Sequence, residues 1–362
     1  MTSRTVAVTG IAGFLGQRLL PVLAADPAIG RIVGLDVREP PRRSPQLELH
    51  RVDIAGHDLK PLLEGVEVLV HLAAIVDPID DDALIARVNV EGTRRVLDAA
   101  AAVGVRKIVR LSTTAAYGAW TTNPVPLTED EPLRPNPGYT TAVHAAEVER
   151  LLAEWQHDHP AVTITTLRAA PVLGAGAHHL WARLLTSPSR VRVRGAAPPV
   201  QVVHVDDVVQ ALALVVREDH AGVLNVAADG WLAAEDLDAL VPRAVVPAMP
   251  ADVLRRALAR MWSSGVGDVP PTVVPYLVFP WVVASDRLQA LGWQPAHTNE
   301  ETILETVDAV PRSRVPSVRT IAAVAGVAAA GVATGLTLAY LRRRRRGSGR
   351  RGVGRRGFSR RG

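Results

Sequence analysis

The chain opens on a short apolar run, Val6–Val8, which delivers Thr9 and then glycines at every third position, Gly10, Gly13 and Gly16. From Phe14 to about Ala25 the apolar positions shift to helical spacing. The same alternation recurs downstream. Apolar, β-branched runs at Arg31–Leu35, Leu47–Val52, Glu67–Leu72, Lys107–Leu111 and Val162–Leu167 predict strands. Helical patterns cover Asp81–Ala102 and Tyr139–Trp155, and Trp120–Pro137 reads as a proline-rich loop. Val202–Val205 and Gly222–Val226 read as strands flanking a helix through Val216, and helical pieces follow at 233–241, 251–262 and 299–309. This order predicts an α/β fold, a Rossmann-type doubly wound parallel sheet with ligands at the carboxyl ends of its strands.

The alternation weakens beyond about Pro171, where a smaller, interleaved substrate-binding region is expected. The predicted organisation is a nucleotide-binding domain over 1–170, with later elements from 200–228, and a mainly substrate-binding region over 171–311. A linker and apolar helix over 312–341 and an Arg/Gly-rich tail over 342–362 complete the chain.

The strand–glycine–helix order over Val6–Gly16 is the geometry that cradles a dinucleotide pyrophosphate. Glycines let backbone approach phosphate, and a helix N-terminus offers unpaired N–H donors to the anion. Asp36 ends the second strand about twenty residues past the turn, where a carboxylate bonds ribose hydroxyls and repels a 2′-phosphate. NAD is therefore favoured over NADP, although Arg38 lies close enough to accept that phosphate. Ala73 and Ala74 extend the fourth strand with small side chains that let a ribose lie close. Asn89 and Gly92 are poor helix formers inside a helical pattern, which points to a polar task for Asn89.

Composition narrows the chemistry. The chain has no cysteine, which removes disulfides, thiolate metal sites and cysteine nucleophiles together. His178 and His179 have no partner at metal-ligand spacing, so no metal is expected. His204 is expected to orient the helix start at Asp206–Asp207. Of the charge, +5 overall, eleven positive residues are arginines in the last 21, leaving −6 on the preceding 341. A nucleic-acid-binding body is not suggested. Met1–Arg4 runs straight into the first strand, leaving no room for a signal peptide, so the body is expected in the cytoplasm. Ile321–Leu341 carries no charge and is long enough to span about 30 Å as a helix. With the arginine tail it predicts association with an anionic membrane surface.

Taken together, these motifs resemble the extended short-chain dehydrogenase/reductase family, of the NAD-dependent epimerase/dehydratase type, over roughly Thr5–Val310. Thr9-Gly10-x-x-Gly13-x-x-Gly16 is similar to its cofactor turn, and the resemblance implies cofactor contacts from Gly10, Ala12, Gly13, Phe14, Leu15 and Gly16. It further implies cofactor contacts from Asp36, Asp53 with Ile54, Leu72-Ala73-Ala74 after His71, Asn89 and Arg168. Ser112-Thr113-Thr114-Ala115-Ala116-Tyr117-Gly118 resembles the segment that supplies the active-site hydroxyl, and aligning on Tyr117-Gly118 puts Thr113 in that role. Tyr139 would then move a proton on or off a hydroxyl or keto group of a small substrate, a nucleotide sugar or sterol-like molecule. The resemblance also implies a homodimer. One departure stands out. The family pattern Tyr-x-x-x-Lys reads Tyr139-Thr140-Thr141-Ala142-Val143 here, so no ammonium lowers the tyrosine pKa or holds the nicotinamide ribose. His144, five residues on, falls about 140° round an ideal helix and is a poor substitute. This departure opens an alternative, an NAD-binding pseudoenzyme serving as a membrane-associated sensor or scaffold.

Overall fold

The computed structural model describes residues 3–187, 190, 192–241 and 248–309. Contacts group 1–315 into one unit and 316–362 into another, and the second lies wholly outside the described residues. The expected membrane segment Ile321–Leu341 and the arginine tail fall there. No described helix is long and apolar enough to cross a membrane.

Seven strands form one all-parallel sheet. β1 (Arg4–Thr9) lies between β2 (Ile29–Asp36) and β4 (Val68–His71), with β3 (Leu47–Arg51) at one edge. Beyond β4 come β5 (Lys107–Thr113), β6 (Thr163–Ala169) and β9 (Gly222–Val226), giving the order 3-2-1-4-5-6-9. β7 (Val172–Leu173) and β8 (Val203–His204) form a separate two-stranded parallel sheet. The order reverses between β1 and β4, the switch point where open α/β sheets bind ligands.

Helices cover both faces because the strands inside the edge strand β3 carry apolar residues at both parities. Val6 and Val8 of β1 pack with Leu19, Leu20 and Leu23 of α1 (Gly16–Ala25) and Val208, Leu212 and Val215 of a later helix, α6 (Val205–Arg217). Ala7, one position out of phase, joins Val96, Leu97 and Ala100 of α3 (Gly92–Ala102) on the opposite face. Leu151 and Leu152 of α4 (Thr140–Asp158) complete that layer.

The helical pattern expected over 81–102 is not one helix. It splits into α2 (Asp82–Ala86), a π-helical turn Arg87–Glu91, and α3. The π turn contains Asn89, and its side chain supplies the reason, given below. α4 opens at Thr140 rather than Tyr139, whose backbone (φ −84°, ψ 84°) is not helical.

The C-terminal region adds α5 (Leu180–Thr186), α7 (Ala234–Leu240), α8 (Ala251–Ser263), a 3-10 stretch Pro271–Leu277, α9 (Asp286–Ala290) and α10 (Asn299–Asp308). The expected helical pieces correspond to α7, α8 and α10. The proline-containing 3-10 stretch and the short α5 and α9 carry too few turns to show a periodicity. Leu180, Trp181, Val273 and Tyr276 from this region pack on Tyr139 and Ala115, so the cap closes directly over the carboxyl end of the sheet.

Candidate functional site

At the switch point the glycine turn is shaped by contacts that leave no room for side chains. Gly10 holds φ +74°, and a Cβ there would sit 2.8 Å from the Ala73 backbone nitrogen. A Cβ on Gly16 would sit 2.5 Å from the Gly10 carbonyl oxygen. Either position occupied by alanine forces the loop off its neighbours. Asp36 is buried at the tip of β2, and its carboxylate accepts from the Ala12 N–H at 2.9 Å and the Arg38 N–H at 2.9 Å. The acid thus fixes the loop and stands beside it.

A chain of hydrogen bonds ties this loop to the next strand. Thr9 Oγ1 accepts from the Ala73 N–H (3.2 Å), which leaves its hydroxyl to donate to His71 Nδ1 (2.7 Å). Thr93 Oγ1 donates to the Asn89 carbonyl (2.6 Å), so His71 Nε2–H donates to Thr93 (2.9 Å). This pattern assigns the Nε2–H tautomer of neutral histidine. Burial, with the nearby Arg110 cation adding a smaller push, drives the His71 pKa down to about 3. Asn89 bonds the Ile75 backbone twice, accepting from its N–H (2.8 Å) and donating to its carbonyl (2.9 Å). Both polar atoms of Asn89 are therefore spent on shaping the β4 loop, and the π turn is the backbone adjustment that aims them there. Asn89 lines the cleft as a scaffold residue rather than through a free amide.

A cleft of about 630 Å³ runs from this turn along the carboxyl ends of β1, β4 and β5 to Tyr139. That volume lies in the range of small-molecule and cofactor sites. Among the residues assigned from sequence, Gly10, Ala12, Gly13, Phe14, Leu15, Gly16, Leu72, Ala73, Ala74, Asn89, Thr113 and Tyr139 all line it. Four of the residues assigned from sequence, Asp36, Asp53, Ile54 and Arg168, are not among those lining it. Arg168 does not line the cleft. Its guanidinium is bound by the Glu149 carboxylate through Nε (2.9 Å) and Nη2 (2.8 Å), and Nη1 donates to the Tyr117 hydroxyl (2.7 Å). Asp53 and Ile54 also lie off the cleft wall. Asp53 accepts from the Ala55 N–H and pairs with Arg87 at 3.0 Å, while Ile54 is buried against α3 and Gly92.

Strand pleat separates the two candidate hydroxyls at the end of β5. Arg110 and Ser112 share one face, and Thr113 takes the other. Ser112 Oγ donates to Glu149 Oε1 at 2.5 Å and so belongs to the buried Arg168–Glu149–Tyr117 network. Thr113 lines the cleft, its Oγ1 accepting from the Ala115 N–H (3.2 Å) with its own proton still to donate.

Tyr139 caps α4 and is 2% exposed. Its hydroxyl accepts from Trp181 Nε1 at 3.1 Å, and its ring packs edge-on to Trp181 and Tyr276 at centroid distances of 6.4 and 5.1 Å. Burial pushes its pKa above the ordinary tyrosine value, and the Trp181 bond only partly offsets this. The phenol is protonated at neutral pH.

Among the cleft residues not assigned from sequence are His144, Arg18, Asp77 and Arg110. His144 lines the cleft because Tyr139 stands outside the helix, so a wheel started at Tyr139 mispositions everything after it. Arg18 stacks over Phe14 (4.4 Å to the centroid) and bonds the Ala175 carbonyl, latching α1 to the cap. Asp77 accepts from the Leu180 N–H at 2.6 Å, tying the β4 loop to α5. His204 Nδ1 accepts from the Asp206 N–H at 3.3 Å, the helix-orienting role expected of it. It also meets Asp207 and His297, with potential ligand atoms all within 4.8 Å. The Asp207 carboxylate is already taken by the Ala296 and His297 N–H groups, so this cluster reads as a fastening of the α10 approach.

Comparisons with known proteins agree with this geometry. Residues 6–227 match the model of the NAD dependent epimerase/dehydratase family. A 3-diazoavenalumate denitrifying reductase of a Streptomyces species is 30% identical over 322 residues, covering 81% of this chain and 96% of that protein. A UDP-glucose 4-epimerase of Mycolicibacterium smegmatis is 34% identical over 225 residues, covering 56% and 70%. Among solved structures, the UDP-glucose 4-epimerase of Thermotoga maritima, determined with UDP-glucose, superposes with a TM-score of 0.66 at 20% identity, covering 84% and 98%.

Proposed function

This chain belongs to the NAD dependent epimerase/dehydratase family, and we propose that it is an oxidoreductase or epimerase/dehydratase acting on a hydroxyl or keto group of a small substrate. One observation carries the reading: a single cleft joins the glycine turn to Thr113 and Tyr139. The residues present fit NAD. Gly10, Gly13 and Gly16 leave backbone exposed where a pyrophosphate approaches, and the buried Asp36 carboxylate stands where it disfavours a 2′-phosphate. Bound there, NAD supplies or accepts the hydride.

The protein's own part is the proton. Tyr139 receives the Trp181 N–H and keeps its own proton for donation, and burial holds that proton on at neutral pH. The site therefore favours delivery of a proton to a carbonyl oxygen being reduced, with the Thr113 hydroxyl donating a hydrogen bond to the same oxygen. Tyr139 and Trp181 give the cleft an aromatic wall there, with Tyr276 and Trp281 packed behind it. The M. smegmatis relative is a UDP-glucose 4-epimerase, which supports a nucleotide sugar as the substrate class. The Streptomyces relative, which spans most of both chains, supports a net reduction.

Product analysis of nucleotide sugars incubated with NAD, together with NADH consumption against keto compounds, tests this. Tyr139→Phe is expected to lower the rate by about 10²–10⁴-fold, the usual worth of a positioned acid. Equal rates in the two proteins would remove Tyr139 from the chemistry. A second reading, an NAD-holding sensor at a membrane face, is favoured by one feature: Val143 stands where the family has its lysine. It draws further on the apolar stretch 321–341 and its arginines, and deletion of 312–362 should then move the protein out of the membrane fraction.

A further inference from the structure

Val143 does not face the cleft. It lines a separate depression with Leu133, Glu147, Arg150 and Val223, on the far side of α4 from the dinucleotide turn. The cleft-facing residues of α4 are Thr141, His144 and Ala145, at the i, i+3, i+4 spacing of one helical face. The cause is the start of the helix. Gly138 has φ +79° and Tyr139 is non-helical, so α4 begins at Thr140 and turns position 143 outward.

Two polar atoms along this stretch of the cleft lack protein partners. His144 Nδ1 is shielded from solvent and makes no hydrogen bond, although the ring lines the cleft. Arg110 Nη1, on the β5 floor of the same cleft, is likewise buried without a hydrogen bond, and its approach to Glu149 is a loose 3.9 Å. Glu149 is already engaged by Arg168 and Ser112. A buried polar atom without a hydrogen bond is costly, and native proteins rarely leave one so. Two such atoms lie on one cleft, one on its α4 wall and one on its β5 floor.

We infer that His144 is the α4 side chain that engages the bound dinucleotide, its ring turning to bring Nδ1 against a ribose hydroxyl while Arg110 supplies positive charge beneath. This inference rests on the NAD reading above. It makes His144 a positioning residue for the cofactor, at a different place on the helix from the residue the family uses. Burial lowers the Arg110 pKa to about 10, which still leaves it a cation at neutral pH.

The test is NADH binding to the full chain, followed by fluorescence, with thermal melting of each variant in the absence of nucleotide as the folding control. His144→Ala is expected to weaken NADH binding about 10-fold or more, the worth of one hydrogen bond in a buried site. His144→Asn, whose amide can reach the position of Nδ1, is expected to restore most of it, whereas His144→Leu is not. Val143→Lys is expected to leave NADH affinity unchanged, because position 143 faces away. Unchanged affinity in His144→Ala, or tighter binding in Val143→Lys, overturns the inference while the NAD reading stands. Failure of the wild-type chain to bind NADH overturns both.

Discussion

The two ends of the cleft are built on different terms. At the Gly10 end the turn is shaped by glycines and by backbone N–H and carbonyl groups, braced by Asp36 and the Thr9–His71 chain, and its geometry follows the pattern that the sequence announces. At the Tyr139 end the hydroxyl is buried under Trp181 and Tyr276, residues 42 and more positions away, and position 143 of α4, where the lysine is expected, lines a different depression. The first end is a binding surface whose chemistry is in its backbone. The second is assembled by the cap, so its chemistry depends on side chains that the local sequence does not predict. A family motif therefore transfers more securely where backbone does the binding than where tertiary packing aims a side chain.

That contrast can be broken in several ways. The largest expected effect lies beneath the Tyr139 end, where Glu149 is the shared acceptor of Arg168 and Ser112. Glu149→Ala leaves Arg168 buried without its carboxylate and is expected to cost about 3–5 kcal/mol in urea unfolding. A loss below about 1 kcal/mol would mean that Arg168 is held without the Glu149 carboxylate. At the other end, Gly10→Ala meets both a positive φ and the Ala73 backbone. It should destabilise by about 1–3 kcal/mol and abolish NADH binding. Normal binding in that variant would show that the turn is not the phosphate cradle.

The hydrogen-bond chain behind the turn gives a pH signature. His71 is neutral in the folded protein, with its pKa lowered to about 3 from an ordinary 6.5. The unfolded chain takes up that proton first, so the stability is complete above 6.5 and is lost as pH falls from there toward 3. The slope approaches about 1.4 kcal/mol per pH unit in that window. Urea midpoints of the wild type should fall between about pH 7 and about pH 5 more steeply than those of His71→Gln. Parallel curves would place the acid sensitivity elsewhere. The smallest effect is expected at Asp53, whose pair with Arg87 is 31% and 44% exposed. The Ala55 N–H holds its pKa below the ordinary 3.8, so its contribution is present at neutral pH and lost on acidification through that lowered value. Asp53→Asn should cost about 0–1 kcal/mol at neutral pH and leave NADH affinity intact. A marked drop in affinity would restore Asp53 as a cofactor contact.

Much of the fold was legible because the strands are runs of Val, Ile and Leu bounded by glycine, acid or proline. The π turn at Arg87–Glu91 was not, because its cause is the Asn89–Ile75 pairing, which joins positions 14 apart across a loop. At the site, the glycines and Asp36 could be read from spacing alone. For Arg168, register places the backbone at a strand tip, while the side-chain direction is decided by Glu149 on α4, which the local sequence does not show. His144 was set aside for a related reason. Angles round a helix hold only inside it, and nothing in Gly138-Tyr139-Thr140 marks which residue starts the turn. His204, Asp207 and His297 show the same limit, since about 90 residues separate the histidines and only α6 and the α10 approach bring them together.

Whether the Gly10 end is an intact NAD site is decided by a paired fluorescence titration of the full chain with NADH and NADPH. Saturable NADH binding is expected, with NADPH weaker by about ten-fold or more, since Asp36 opposes a 2′-phosphate at a cost of roughly 1–4 kcal/mol. Equal affinity for the two would contradict the role of Asp36, and no binding of either would contradict the reading of the cleft itself.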